Sequence, residues 1–241
     1  HLAAIPLASL QNITTSEAIE GNVLSTSSFL ESINDLKKTN GYCPKRFLYT
    51  SSSMIYGDFI YNPAEEKHPT SPKELYGTMK LAGEIVTKGL SRLYGIPYTI
   101  IRPSAVYGPT DMNRRVSQIF IEKAFRGETL KIAGKDESLD FTYVKDTANG
   151  FVMACIIEEG KDETFNITSG HAFTLLEYVE ELKKHFPNLK YEILDRDDSK
   201  PKRGTLSIKK AENLLGFKPD YDLSRGVKEY VEFVKLHNPM I

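Results

Sequence analysis

Apolar and polar positions alternate between two periods along this chain, and the switches between them outline its elements. Ile19, Val23, Phe29, Leu30, Ile33 and Leu36 recur at helical spacing, predicting a helix over residues 17–38 that Gly41 closes. Residues 45–52, KRFLYTSS, read as a short apolar strand running into a polar turn. Residues 58–72 carry three prolines among polar groups and read as a long loop. A helix follows over 72–94 and is stopped by YGIP, then a buried strand, PYTIIRP, over 97–103. The later pattern gives helices at 115–125, 146–158, 175–186, 207–215 and 223–236. Strands are expected in LKIAG (130–134), LDFTYVKD (139–146), ETFNIT (163–168) and KYEIL (190–194). Strand–helix–strand units of this length imply parallel pairing through right-handed crossovers. The fold class expected is α/β, a Rossmann-like doubly wound parallel sheet, and the less regular last hundred residues suggest a smaller α/β lobe.

Composition narrows the function. The 241 residues are 40% hydrophobic and 26% charged with a net charge of −1, which gives no footing for nucleic acid or an anionic membrane as main partner. The longest apolar run, FVMACII at 151–157, is too short to span a bilayer. Cys43 and Cys155 stand far apart, in no metal-ligand spacing; they read as buried thiols in a reducing, cytoplasmic setting. The five histidines form no ligand cluster, so no metal site is expected. The chain opens HLAAIPLASL, without Met, as if inside an apolar segment already under way.

Candidate chemistry lies in SPKELYGTMKLAGE, residues 71–84, where Tyr76 stands four residues before Lys80. Positions i and i+4 share a helix face, so both side chains can reach one cleft. Chance alone yields such a pair in a chain with 13 tyrosines, and an amphipathic helix with an exposed Lys and a half-buried Tyr is the plain alternative. In parallel sheets, ligands bind at the carboxyl ends of strands, where Thr50, Ser51, Ser52 and Ser53 offer hydroxyls. A lysine charge about 4 Å from the phenol, at an effective dielectric of about 20, favours phenolate by about 4 kcal/mol. That is about three pKa units, enough to bring Tyr76 towards neutrality. Ser, Tyr and Lys together could take a proton from an alcohol while a nicotinamide accepts the hydride.

HLAA, Asn22–Val23, FLYTSSSMIYGD, YGTMKLAGE, RPSAVYGP, DFTYVKD, FNIT and SIKKAENLLGFKP follow one another along nearly the whole chain. In this order and spacing they resemble the extended short-chain dehydrogenases/reductases, and more narrowly the NAD-dependent nucleotide-sugar epimerase/dehydratase group. The resemblance implies Tyr76 as acid/base, Lys80 as its partner and a ligand of the nicotinamide ribose, and Ser52 as the third member of a triad. It implies NAD as cofactor (NADP remains compatible), with Ala3, Ala4, Thr50, Ser51, Arg102, Pro103 and Ala105 along the cofactor cleft. The substrate side would take Ser52, Ser53, Met54, Ala105, Arg115 and Arg203. It further implies a cofactor domain of residues 1–103 and 140–173, a substrate lobe of 104–139 and 174–241, and a homodimer through helices 17–38 and 72–94.

Four departures qualify the likeness. The family's GxxGxxG turn is absent, and the chain starts where a fourth strand would be ending, short by about two βα units. Met54 stands where 4,6-dehydratases and decarboxylases carry a glutamate, which argues for epimerisation, probed through a transient ketone, over elimination. Ala105 replaces the usual Asn and Leu139 the usual Arg, both holders of a substrate diphosphate. Arg114, Arg115, Lys202 and Arg203 are the candidate replacement cations. Tyr107, Gly108 and Pro109 are expected to shape a turn, and Phe141, Tyr143 and Asp146 to pack and cap. The function expected is epimerisation of a nucleotide-diphosphate sugar at C4. A reductase or dehydrogenase of a keto-sugar nucleotide is the alternative, and a non-catalytic relative a third.

Overall fold

Four residues of alternating burial, Phe47–Thr50, form β1, the first strand of the main sheet. The structure, a computed structural model, describes residues 1–6, 13–111 and 113–237. β1 pairs in parallel with β2 (Tyr98–Pro103), and β2 with β5 (Glu163–Ile167), giving the order β1-β2-β5. The register sets Thr50 against Ile101 and Arg102 against Asn166. On the outer edge of β1 the amino group of His1 donates to Leu48 O at 2.7 Å, and Thr50 N donates to His1 O at 3.4 Å.

Period-two alternation sends the two faces of this sheet into separate cores. Phe47, Tyr49 and Ile100 meet Leu30 and Ile33 on one side. Ile101, Phe165 and Ile167 meet Ala154, Ala211, Leu215 and Phe217 on the other. The first face is covered by α2 (Ser25–Asn40) and α3 (Leu75–Tyr94), the second by α5 (Val144–Ile156) and α7 (Lys209–Leu215). Helices on both faces of a parallel sheet are the doubly wound arrangement expected. A third core lies beyond the strand ends, where Phe120, Ile132, Phe141, Tyr178 and Val231 pack together. It joins α4 (Val116–Phe125), α6 (Leu175–Lys183) and α8 (Leu223–His237) to β3 (Leu130–Ala133), which pairs in parallel with β7 (Tyr191–Leu194).

The expected helix over 17–38 is α1 (Thr15–Ile19), a π-helical turn (Glu20–Leu24) and α2 in continuous succession. Its capping box on Thr14 starts it, and Gly41 at φ 73° ends it. LDFTYVKD is not one strand: Ser138–Leu139 (β4) pairs with Phe173–Thr174 (β6), Tyr143 makes an isolated parallel bridge to Tyr107, and Val144 already opens α5. Between them Asp140 is wholly buried and accepts from Ser169 N, Ser169 Oγ, Thr168 Oγ1 and Leu206 N, which turns the chain out of the ladder. The cysteines also depart from expectation. Cys155 is exposed and Cys43 half-buried, because α5 turns Gly150 and Ala154, not Cys155, towards the sheet.

Candidate active site

Beyond the carboxyl end of β1, Ser52 caps a 3-10 turn, Ser53–Tyr56, its Oγ accepting from Met54 N at 3.2 Å. Helix α3 approaches that turn closely: a Cβ on Gly77 would lie 2.6 Å from the Met54 carbonyl oxygen. Glycine after Tyr76 is thus what lets the helix bring the phenol up to Ser52. Lys80 follows one turn on, buried, its Nζ donating to Thr50 O at 2.9 Å and standing 5.7 Å from the centre of the Tyr76 ring. The i, i+4 spacing and the strand-end hydroxyls therefore meet in one place.

Their electrostatics differ from expectation. Burial raises the Tyr76 pKa above its ordinary value, and only the Arg115 charge and the Ser52 hydroxyl pull it back. Lys80 is not among the groups that pull it back, and burial lowers the lysine's own pKa to about 8. The lysine is aimed at the backbone of Thr50 rather than at the phenol oxygen.

A cleft of about 550 Å³ opens over Ser52 and Tyr76. Thr50, Ser51, Pro103 and Ala105 line it on one side, Ser53, Met54, Arg115 and Arg203 on another. Arg115, the N-cap of α4, gives one bond to Val106 O at 2.8 Å. Arg203 has Nη1 3.4 Å from the Met54 sulfur, and its Nε is buried with no acceptor. Burial disfavours its charge, with Glu74 and Glu137 only partly offsetting this. The other two replacement cations face away: Arg114 and Lys202 are exposed and do not line the cleft. Leu139, in the place of a usual Arg, adds to its apolar wall.

Two parts of the expected cofactor side are displaced. Leu2, rather than Ala3 or Ala4, lines the cleft. Arg102 is turned out of it and heavily bonded: Nε and Nη2 donate to Glu84 at 2.8 and 2.7 Å, and Nη1 donates to Tyr56 OH at 2.9 Å and Glu66 O at 2.7 Å. A strand side chain that points at a buried carboxylate on one sheet face cannot also serve the opposite side. Sequence reasoning missed Glu84 and Tyr56; the signal for Glu84 was its place on the Tyr76–Lys80 face, four residues further on. Thr50 Oγ1 is buried beside Lys80 and has no hydrogen-bond partner. Among the described residues no group of His, Cys, Asp and Glu could hold a metal, and no helix is long and apolar enough to cross a membrane.

The profile of the NAD dependent epimerase/dehydratase family matches residues 1–168. A Methanocaldococcus jannaschii protein named, provisionally, a UDP-glucose 4-epimerase is 36% identical over 222 residues, 87% of this chain and 69% of that protein. The crystal structure of UDP-glucuronic acid 4-epimerase from Bacillus cereus, in complex with UDP-glucuronic acid and NAD, superposes with a TM-score of 0.88 at 26% identity. The match covers 98% of this chain and 74% of that one. The UDP-glucose 4-epimerase of Thermotoga maritima gives a TM-score of 0.87 at 27% identity, covering 98% and 76%.

Proposed function

The chain belongs to the NAD dependent epimerase/dehydratase family, and we propose that its cleft serves the NAD-dependent epimerisation of a nucleotide-diphosphate sugar at C4 through a transient ketone. The observation that carries the proposal is that Ser52 and Tyr76 line one cleft, with Lys80 buried one helical turn beyond Tyr76 and bonded to the cleft residue Thr50, and with Met54 rather than a carboxylate at its position. Named relatives act on UDP-sugars, which favours a uridine nucleotide here.

In this reading Ser52 Oγ holds the sugar hydroxyl against Tyr76, and the Tyr76 oxygen, ionised with the help of the Arg115 charge, takes its proton and returns it when the ketone is reduced. When bound, NAD supplies a hydride acceptor that gives the hydride back. Lys80 and the orphan hydroxyl of Thr50 would hold the nicotinamide ribose, with Ser51, Pro103 and Ala105 along the ring's path. Arg115 favours ionisation of Tyr76 and, with Arg203, would meet the substrate's negative charge; Arg suits a diphosphate because its fork donates twice. Ser53 and Met54 would border the sugar. A reductase of a keto-sugar nucleotide is the second reading, favoured by Leu139 and Ala105 where diphosphate holders are usual. Product analysis separates them: an epimer without net NADH change supports the first, stoichiometric NADH consumption the second. Tyr76→Phe should lower kcat by about 10³-fold; unchanged turnover means that the Tyr76 mechanism is wrong, whereas no turnover by the unaltered full-length protein would mark a non-catalytic relative.

We assign residues 1–103 and 140–173 to cofactor binding and 104–139 with 174–241 to the substrate. A homodimer is proposed through helices 17–38 and 72–94, which lie side by side and expose Leu24, Phe29, Leu36, Ile85 and Leu93. A reducing cytoplasm suits the free thiols of Cys43 and Cys155.

A further inference from the structure

Ser52 lies between two neighbours that are each clamped from behind. On one side Ser51, whose N–H still belongs to the sheet through Ile101 O at 2.8 Å, donates its Oγ to Glu84 Oε1 at 2.6 Å. On the other side Tyr56, the last residue of the 3-10 turn, receives Arg102 Nη1 at 2.9 Å and donates to Asn166 Oδ1 on β5 at 2.7 Å. Glu84 and Arg102 are both buried and bonded to each other twice. The carboxylate belongs to α3, the same helix face as Tyr76 and Lys80; the guanidinium belongs to β2.

We infer that Glu84 and Arg102 are positioning residues, which fix Ser52 against Tyr76 by holding Ser51 and Tyr56 to helix α3 and to the sheet. The inference rests on the reading of Ser52 and Tyr76 above. Neither member faces the cleft, so neither touches substrate or cofactor. The pair ties α3 to the strand end at a second point, four residues beyond the Lys80–Thr50 bond, and two ties on one helix face prevent both sliding and rolling of Tyr76. Stability alone does not require charge here, since apolar residues of like volume commonly replace a buried ion pair without loss. What apolar residues cannot do is receive the Ser51 hydroxyl and donate to the Tyr56 hydroxyl. Small displacements of an acid/base from its near-attack position are costly, of order 10²-fold for about 1 Å.

The test uses the full-length protein and four variants: Ser51→Ala with Tyr56→Phe, Glu84→Met with Arg102→Met, Tyr56→Phe alone, and Tyr76→Phe as reference. The first double variant cuts both ties without leaving a buried charge. It is expected to lower kcat by about 30-fold, with KM for the nucleotide sugar held within about twofold. Tyr56→Phe alone is expected to lose about fivefold in kcat. The Glu84–Arg102 double variant should melt close to wild type and lose about 10²-fold in kcat. Wild-type kcat in the Ser51–Tyr56 variant, or a loss confined to KM for NAD, overturns the inference while an inactive Tyr76→Phe leaves the proposed chemistry standing. Full activity in Tyr76→Phe overturns both. If the Glu84–Arg102 variant fails to fold, the Ser51 and Tyr56 variants still decide.

Discussion

Two arginines of this molecule, Arg102 buried and Arg203 half-buried, stand in opposite conditions. Arg102 sits on the central strand with donors on Glu84, Tyr56 and Glu66, and burial is outweighed: its pKa is raised. Arg203 sits over the cleft with a sulfur for its nearest side-chain partner and a buried Nε that bonds to nothing. The first guanidinium is finished within the protein. The second is left short of an anion, a costly arrangement that pays only when a ligand supplies one. The difference separates framework from site more clearly than residue type does, since each residue is an arginine within a stretch rich in family strings.

The largest expected effect falls on the finished one. Arg102→Met leaves the Glu84 carboxylate buried without its partner and should cost about 3 kcal/mol in denaturant unfolding. The value lies at the low end of such losses because Lys88 Nζ stands 3.9 Å from Glu84 Oε2 and can move closer. Arg203→Met should show the reverse profile. Unfolding stability stays level or rises, while KM for the nucleotide sugar increases by about 30-fold, or about 2 kcal/mol of charge-assisted bonding. If Arg203→Met instead destabilises the protein and spares KM, the contrast between the two arginines fails.

Asp140 sharpens the comparison, since it receives Leu206 N and so anchors the segment that carries Arg203. Burial lifts its pKa to about 6 from an ordinary 3.8, against the pull of its hydrogen bonds. Between those values the folded state keeps a proton that the unfolded chain releases, so this group's contribution to stability falls as pH rises from about 4 to about 6. Asp140→Asn should flatten that limb of the stability profile at a cost of about 2 kcal/mol, because its amide faces groups that already donate. The smallest effect is expected at Ala105, which holds φ at 36° on the cleft wall. Ala105→Gly should relieve about 1 kcal/mol of backbone strain, read as a higher midpoint of unfolding.

The elements were legible because each rests on a local period or a stop signal: Gly41 and Gly95 end helices where the residue pattern places them, at φ 73° and 61°. The meeting of Tyr76, Lys80 and Ser52 was legible too, since helical spacing and the end of one strand suffice to bring them together. What escaped depends on partners distant in sequence. Arg102 lies in a string that borders the cofactor cleft, but its side chain belongs to Glu84, and no period along β2 says which sheet face a polar residue takes when both are covered. The raised pKa of Tyr76 depends on burial, which spacing does not report, and burial likewise lowers the pKa of Lys80 to about 8. Of four nearby cations, Arg115 and Arg203 line the cleft while Arg114 and Lys202 are exposed, a division that no period along the sequence announces.

The central claim is that Tyr76 serves a reaction in which one hydrogen leaves C4 of the sugar as hydride and returns to the same carbon. The most direct measurement is turnover of a nucleotide sugar deuterated at C4, with the epimers separated and their isotope content read by mass spectrometry. The account predicts that the inverted sugar keeps its deuterium, gains none of the solvent's hydrogen at carbon, and leaves no NADH behind. Loss of the label to water, or product that accumulates as ketone with one equivalent of NADH, would contradict it.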